Sequence, residues 1–558
     1  MNIKNFFAKL NSSSNNEHEF VLPNKEPVPD KVQPEDMLKN KSVYSNIDVN
    51  LEYVNSRFNS ILNSDIKIRE FLINVKSRQY KAFLLYIDGM IDKDSINDFV
   101  LNPLMLKNRS NLYEGNQVVS EAVANNIMVR KVKKFNIVDY ILDSLLPHND
   151  VERVKSFDKI ADDVASGNCI LFIDTVSFAF DIDSKKFDKR SIAEPKNEHV
   201  IMGSQEAFVE NLRTNTSIIR RNLHNENLVV ESLTIGKDNK NQSAVCYLKN
   251  IANSDLVAEV KYRLNNLEVD YLTSIGELQQ LIKDDMDTTI PETISTERVD
   301  KAVNHILQGR VVVIYNGVPY VIVMPATFLD FLSSPEDINI HHFFANLLKI
   351  VRGISFFITL LLPGLYIAIT TFHGELIPTG LLFSIIASRS NVPFMVIVEI
   401  ILMEISFEII REAGVRVPSP LGSTVGIVGA LILGQAAVQA DIVSPILIIN
   451  IAITAITSFA IPDYTFSFHL RINRFLFVLL GFLAGFFGIG IGMFLYLVKL
   501  CSLKSFGVSY LSPYAPLTKN KGNGYLLDPP WQREKRASYL ATKKSQVQKD
   551  TSMKWRKS

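Results

Sequence analysis

The sequence is poor in cysteine, and its three cysteines, Cys169, Cys246 and Cys501, lie far apart with no C-x-x-C spacing. A disulfide framework or a zinc ribbon is therefore not expected. Scattered free cysteines fit a reducing compartment. A signal peptide is also absent, because Lys9 interrupts the short apolar stretch near the start, whereas a signal needs roughly 7–15 apolar residues. We therefore expect the N-terminal half to stay in the cytoplasm.

Catalytic and cofactor motifs are missing as well. The sequence has no G-x-x-x-x-G-K-[ST], no G-x-G-x-x-G after a strand, no H-E-x-x-H and no G-x-S-x-G. The pair His341–His342 has no third metal ligand near it, and Arg213, Arg220 and Arg221 indicate a solvated or subunit-contacting face before a phosphate site. We predict a protein that is not an enzyme, with no catalytic residue, cofactor, metal or nucleic-acid partner.

Four segments in the C-terminal half contain no Asp, Glu, Lys or Arg. They are Gly353–Phe372, Val417–Ala440, Ile442–Pro462 and Phe475–Val498, with 20, 24, 21 and 24 residues. About 20 predominantly apolar residues suffice to cross a bilayer. The pattern predicts an all-α multi-pass transmembrane domain over residues 339–502.

Two further segments in this region are ambiguous. Leu376–Ser388 is uncharged but has only 13 residues, which is typical of a re-entrant or interfacial segment. The apolar stretch after it carries Glu399, Glu404, Glu408 and Glu412, of which the last three share one helical stripe. Charge at membrane depth normally faces a water-filled path or a partner. An ion path or assembly surface and an amphipathic interfacial helix are equally compatible with the pattern.

Positive charge at the C-terminus indicates the orientation. Residues 503–558 are predicted to form a basic cytoplasmic tail, since Lys499–Ser558 holds 13 Lys or Arg against three acids. With both ends inside, the number of crossings is even, and four and six both fit. Arg471 and Arg474, assigned to a short loop, argue weakly against the four-span order.

Small residues and one proline mark helix contacts. The pattern G-x-x-x-G and its continuation predict close helix packing at Gly422, Gly426, Gly429, Gly434, Gly481 and Gly485. Pro363 lies inside the first apolar segment and predicts a kink, for which a structural role is favoured over a gating role.

The N-terminal half alternates strand and helix patterns. After a polar leader predicted to be disordered over residues 1–48, we predict two α/β subdomains, 49–195 and 196–338. Strand pairs are expected at Cys169–Val176 with Ser177–Ile182, and at Arg310–Tyr315 with Pro319–Met324 around Asn316–Gly317. Val151–Ser166 and Ala207–Leu223 have helical apolar spacing.

Several phrases resemble one known family. Arg411–Pro445, Ser505–Pro516 and Glu206–Leu223 are similar to signatures of the GerA family of spore germination proteins, the A subunits of germinant receptors, and Glu399, Glu404 and Glu408 match its glutamate helix. The resemblance extends from about residue 60 to 530. Gly203–Ser204–Gln205 departs from the Pro-Arg usual in the family at that loop.

This resemblance implies a multi-pass protein of the spore inner membrane that takes part in nutrient-triggered germination. It implies partnership with a permease-like B subunit and a lipoprotein C subunit, contact with membrane lipid, and homo-oligomers that form or gate an ion channel. Two alternatives remain: a non-conducting membrane scaffold, and a paralogous branch associated with dipicolinate release.

Overall fold

The fold is described from a computed structural model. It describes residues 20–22, 42–75, 78–105, 151–186, 195, 197–198, 200–416, 432–517, 525–530 and 536–543. These residues form two α/β modules, the first module over residues 42–186 and the second module over residues 197–332, followed by a helical half. The predicted α/β subdomains and the helical character of the C-terminal half agree with this arrangement.

The first module is a five-stranded antiparallel sheet in the order β1-β2-β4-β5-β3. Alternate side chains of its central strands face two separate cores, as in Leu84 and Leu171 on one side and Phe83 and Phe172 on the other. Its elements are α1 (Ile47–Arg57), β1 (Ile66–Val75), β2 (Arg78–Ile87), α2 (Lys93–Ile96), a π-helical turn (Asn97–Leu101), α3 (Asn102–Met105), β3 (Val151–Val154), α4 (Phe157–Ala165), β4 (Cys169–Ile173) and β5 (Ala179–Ile182).

The second module has an equivalent sheet in the order β6-β7-β9-β10-β8, also antiparallel. The β-branched run Val311–Tyr315 is buried on both faces, which explains its continuous apolar pattern. Its elements are α5 (Leu212–Asn222), β6 (Leu228–Ile235), β7 (Asn241–Leu248), α6 (Ser254–Asn265), α7 (Ile275–Leu281), β8 (Ile294–Thr296), α8 (Val299–Leu307), β9 (Val311–Tyr315), β10 (Val321–Met324) and a 3₁₀ turn (Phe328–Leu332).

The two modules are structural repeats of each other. Beyond strand order, they share a buried asparagine in the first helix that bonds to the backbone six residues earlier. Asn50 Nδ2 donates to Tyr44 O at 2.7 Å, and Asn215 Nδ2 donates to Val209 O at 2.6 Å. The Oδ1 of each asparagine also accepts a hydrogen bond, from the backbone N–H of Tyr44 and of Val209 respectively. Residues 157–174 and 299–316 correspond position by position, including a glycine with positive φ, Gly167 and Gly309.

A buried ion pair joins the two modules. Arg220 on α5 donates from Nε to Asp65 Oδ2 at 2.6 Å and from Nη2 to Asp65 Oδ1 at 2.8 Å. Asn63 Oδ1 accepts from Arg220 Nη2 and from the backbone N–H of Val230, at 3.1 and 2.8 Å. Arg220 and Asp65 are both almost fully buried. The pair therefore fixes the segment before β1 against the second module.

Among the described residues of the helical half, two helices, α10 and α14, are long and apolar enough to cross a membrane by length and composition. The described helices of this half are α9 (Glu336–Asn339), α10 (His342–Phe372), α11 (Thr379–Arg389), α12 (Val396–Arg416), α13 (Pro445–Phe459) and α14 (Tyr464–Ser502), together with helical residues 432–439. One apolar core runs from the second module into α10 and α14 through residues such as Val312, Phe331, Phe356 and Phe466. The second module and the helical half are thus packed as one unit.

Helix α14 is a hairpin of two antiparallel arms. The backbone leaves the helical region at Ala484 and at Gly485, whose φ is 56°. His469 Nε2 lies 3.1 Å from Tyr496 Oη although 27 residues separate them, whereas a continuous helix would place them about 40 Å apart. The prediction of one continuous span over Phe475–Val498 is therefore wrong. A first arm (464–483) and a second arm (486–502) replace it.

The C-terminal segment returns to the second module. Leu503, Phe506 and Tyr510 are buried, the short strands β11 (Lys504–Ser505) and β12 (Val508–Ser509) pair, and Asn253 Nδ2 donates to Ala541 O at 2.9 Å. Apolar side chains inside a basic stretch explain why its described parts, 503–517, 525–530 and 536–543, belong to the fold and do not form a separate tail.

Most predicted elements of the N-terminal half are confirmed, and two need correction. The hairpins β4–β5 and β9–β10 lie where the sequence places them. Val151–Ser166 is not one helix, since Val151–Val154 is a strand and the helix begins at Phe157. Helix α5 begins at Leu212, because Asn211 caps it. The leader 1–48 lies mostly outside the described residues, but Leu22 and Val43 are buried in the fold.

Candidate functional site

The glutamates of α12 face arginines on the first arm of α14. Glu404 forms an ion pair with Arg474, and both side chains are almost fully buried. One turn further along α12, Glu408 lies 2.8 Å from Arg471 and 3.6 Å from Arg474. Both arginines belong to a helix, so the sequence-based assignment of Arg471 and Arg474 to a short loop is wrong. We call Glu404, Glu408, Arg411, Arg471 and Arg474 the charged cluster.

The fifth member of the charged cluster connects it to α13. Arg411 Nη2 donates to Ser458 Oγ at 3.0 Å, and Arg411 Nη1 lies 3.8 Å from Glu408. The guanidinium also lies 4.5 Å over the Phe459 ring, which stabilises the cation through the ring quadrupole. The cluster thus ties together α12, α13 and α14 at one level of the helical half.

The charged cluster is incompletely satisfied. Glu404 Oε1, Arg471 Nε and Arg474 Nε are buried without a hydrogen-bond partner. Three arginines face two glutamates, so the cluster has one positive charge in excess. Buried ion pairs recover their desolvation cost only where the remaining donors and acceptors are also bonded. Each buried atom of this kind calls for an explanation, such as a bound water molecule, an ion or a functional role.

The other two predicted glutamates, Glu412 of the stripe and Glu399 outside it, lie in different surroundings. Glu412 is exposed and pairs with Arg416 one turn later on the same helix, at 2.6 Å. Glu399 is buried near the start of α12, where its carboxylate lies 3.3 Å from Arg389 and accepts from the Ser444 backbone N–H at 3.1 Å. The predicted stripe therefore separates into the buried charged cluster of Glu404 and Glu408 and the exposed local pair of Glu412. Glu399 makes its own buried contacts near the start of α12.

Glycines allow α10 and the first arm of α14 to pack closely. A Cβ on Gly481 would lie 2.5 Å from Gly364 O, and one on Gly364 would lie 2.6 Å from Phe477 O. Gly434 faces Ile448 of α13 in ordinary contact. Gly485 lies at the turn of the hairpin, where its positive φ is used; this role differs from the predicted helix packing. The positions Gly422, Gly426 and Gly429 lie outside the described residues.

The helix α10 continues through Pro363 without interruption. The proline is buried, next to the glycine contact between α10 and the first arm. Close packing around a proline favours the structural role over a gating role.

A loop of the second module contacts both arms of the hairpin. Thr289 Oγ1 lies 2.7 Å from His469 Nδ1 on the first arm, and His469 bonds in turn to Tyr496 on the second arm. Asp285 forms an ion pair with Lys499 near the end of the second arm. We call residues 283–292 the coupling loop. No sequence motif marks it, since its partners lie about 180 to 214 residues away.

The base of the coupling loop holds a fully buried acid. Glu292 accepts from the backbone N–H groups of Asp284 and Asp285 at 2.7 and 3.3 Å. Burial, with a contribution from the nearby Asp284, raises the pKa of Glu292 to about 8. Asp284 in turn lies 2.6 Å from Arg263. Hydrogen bonds to Glu292 and the ion pair of Asp284 with Arg263 therefore fix the base of the coupling loop. Burial favours the neutral form of Glu292.

Comparison with known proteins places these features in one family. The chain matches the family model described as Bacillus/Clostridium GerA spore germination protein over residues 52–539. It is 38% identical over 484 residues to spore germination protein KA of Bacillus subtilis (strain 168), covering 87% of this chain and 85% of the relative. It is 31% identical over 485 residues to spore germination protein GerLA of Bacillus cereus, covering 87% and 94%.

Among solved structures, the chain is similar to the N-terminal domain of the A subunit of the Bacillus megaterium spore germinant receptor GerK3. The identity is 26%, the TM-score is 0.36, and the match covers 51% of this chain and 97% of that one.

Proposed function

The chain belongs to the Bacillus/Clostridium GerA family of spore germination proteins, and on that premise we propose that it is the A subunit of a germinant receptor in the spore inner membrane. In this proposal the soluble modules receive the nutrient signal from partner subunits, and the helical half forms or gates an ion path. The observation that carries the proposal is the buried, incompletely satisfied charged cluster between α12 and α14.

The helix directions support six crossings. The start of α12 contacts the start of α13 through Glu399 and Ser444, and their ends meet through Arg411 and Ser458. The two helices therefore run in the same direction. Six crossings are compatible with this direction if the sequence-predicted span Val417–Ala440, of which residues 417–431 lie outside the described part of the chain, also crosses. With α10 and the two arms of α14, this makes six.

The dimensions fit this topology. The arms of 20 and 17 residues measure about 30 and 26 Å, enough for a hydrocarbon core. At 11 residues, about 16 Å, α11 is too short to cross. An even number of crossings leaves both soluble modules and the C-terminal segment on one side, which the basic C-terminus assigns to the cytoplasm.

The ion-path role can be tested at the glutamates. In spores that depend on this protein, Glu404→Gln and Glu408→Gln should abolish nutrient-triggered cation release while the protein remains in the membrane. Glu412→Gln is the matched control, since Glu412 lies on the same helix but is exposed and locally paired. Normal release by the Glu404 and Glu408 variants, at normal protein levels, would contradict this role.

A second candidate function is a membrane scaffold that conducts no ions. It is favoured by one observation: Glu404 and Glu408 are each neutralised by arginines of the same chain. Purified protein reconstituted alone into lipid vesicles separates the two candidates, because a channel gives a measurable conductance and a scaffold gives none.

The proposal includes partners. A permease-like B subunit, a lipoprotein C subunit and further copies of this chain are the expected complex, by analogy with the receptor family. Affinity purification of the tagged protein from spore membranes, followed by mass spectrometry and cross-linking, tests all three. Recovery of the chain alone and uncross-linked would argue against them.

A further inference from the structure

An acidic pair in the first module is short of positive charge. Asp163 on α4 and Asp181 on β5 lie close enough for their carboxyl groups to hydrogen-bond. Asn168, in the turn between α4 and β4, donates from Nδ2 to Asp181 Oδ2 at 2.9 Å. Asp181 and Asn168 are each 7% exposed. Two carboxylates and an amide therefore meet at one largely buried point.

Three oxygen atoms at this point have no hydrogen-bond partner. They are Asp163 Oδ2, Asp181 Oδ1 and Asn168 Oδ1. All three are acceptors when the acids are ionised, so they cannot satisfy one another. A buried acceptor without a donor is costly, and two carboxylates this close cannot both stay charged without a compensating ligand.

The nearby cations are engaged elsewhere. Lys159 Nζ donates to Glu152 at 2.9 Å, and Lys185 lies 3.6 Å from Asp183, both at the surface. Burial raises the pKa of Asp181 to about 6 and also raises that of Asp163.

The second module has no acidic pair in the corresponding region, where Val323 stands at the place of Asp181. By the position-by-position correspondence of the repeats, Arg310 stands at the place of Asn168 and His305 at the place of Asp163. Arg310 is buried, and its guanidinium lies 2.7 Å from Asp330. The second copy of the fold therefore carries a buried cation in this turn, whereas the first copy carries an amide beside two carboxylates.

We propose that Asp163, Asp181 and Asn168 of the first module bind a hard divalent cation of the Mg²⁺ or Ca²⁺ class. Such ions prefer carboxylate and amide oxygens and complete their shell with backbone carbonyls and water. Two carboxylates give a weak site, since affinity increases with the number of charged ligands. Binding places a positive charge beside the unpartnered carboxylate and amide oxygens of the site.

The test is thermal unfolding of the full-length protein in detergent after removal of metal with a chelator. MgCl₂ or CaCl₂ should raise the melting temperature of the wild type in a saturable manner, and KCl at equal ionic strength should not. Asp181→Asn should start at a melting temperature equal to or above that of the wild type, because it removes the like-charge repulsion, and should lose the cation-dependent rise.

A matched control and a second variant complete the design. Asp162→Asn removes an exposed carboxylate from the same helix and should respond to the cation as the wild type does. Asp163→Asn is the second variant, for use if Asp181→Asn fails to fold. In Asp163→Asn, the cation concentration that gives half of the rise in melting temperature should increase at least about tenfold. An equal rise in Asp181→Asn, an equal effect of KCl, or a response to pH but not to cation in the wild type would overturn the proposal.

Discussion

Replacing Arg474 by methionine should strongly destabilise the helical half. The substitution keeps most of the side-chain volume but leaves Glu404 buried with its charge unpaired. Breaking a buried ion pair on one side costs about 3–5 kcal/mol. Replacing both partners by apolar residues of similar volume is often neutral, so the double variant Glu404→Met with Arg474→Met should unfold within about 1 kcal/mol of the wild type.

Thermal unfolding of the purified protein in detergent measures this difference. A loss of about 3–5 kcal/mol corresponds to a decrease in melting temperature of roughly 6–20 °C for a domain of this size. The double variant should recover most of that loss. Nearly equal melting temperatures for the wild type and Arg474→Met, or a double variant as unstable as the single one, would refute the view that Glu404 and Arg474 compensate each other.

The same two variants distinguish a structural lock from an ion path. If the charges only hold α12 against α14, the double variant should restore nutrient-triggered ion release together with stability. If the glutamate serves the ion path, the double variant should be stable and inactive. Ion release is therefore measured on spores, and the melting temperature is measured on protein purified from the same preparations.

Three further changes follow from the geometry. Gly364→Ala should lower the free energy of unfolding by about 1–3 kcal/mol, because the added methyl group overpacks against the first arm. Gly380→Ala is the control, since Gly380 lies in open space, and the melting temperatures of the two variants are compared. Arg220→Met should lower the free energy of unfolding by about 3–5 kcal/mol, because it leaves the buried Asp65 unpaired. Arg213→Met should lower it by less than about 1 kcal/mol, because Arg213 is half-exposed. Because the pKa of Glu292 is raised from 4.5 to about 8, its contribution to stability is lost as pH rises across that interval, and Glu292→Gln should flatten the dependence of melting temperature on pH.

The sequence predicts local elements of this fold well. The turn Asn316–Gly317 joins β9 and β10 because glycine accepts the positive φ that the turn requires. The buried strands are visible as apolar runs, and the boundaries between apolar and charged segments separate the soluble modules from the helical half. These signals come from residues close together in the chain, which is why one sequence is enough to find them.

Long-range features were not predictable in the same way. The uncharged run Phe475–Val498 has the composition of one span, and composition does not encode a reversal of direction. The chain reverses at Gly485, and the sequence does not distinguish this glycine from the others with the same spacing. The partners of Glu404 and Glu408 lie on another helix, and Arg471 and Arg474 resemble loop charges until α14 packs against α12.

The two copies of the α/β module make different contacts. Within the described part of the chain, the second module contacts the hairpin through the coupling loop and shares a continuous core with α10 and α14. The first module is tied to the second by the ion pair of Asp65 with Arg220. The copy that packs against α10 and α14 is also the copy whose turn carries the buried cation Arg310. The other copy carries the acidic residues Asp163 and Asp181 in the corresponding region.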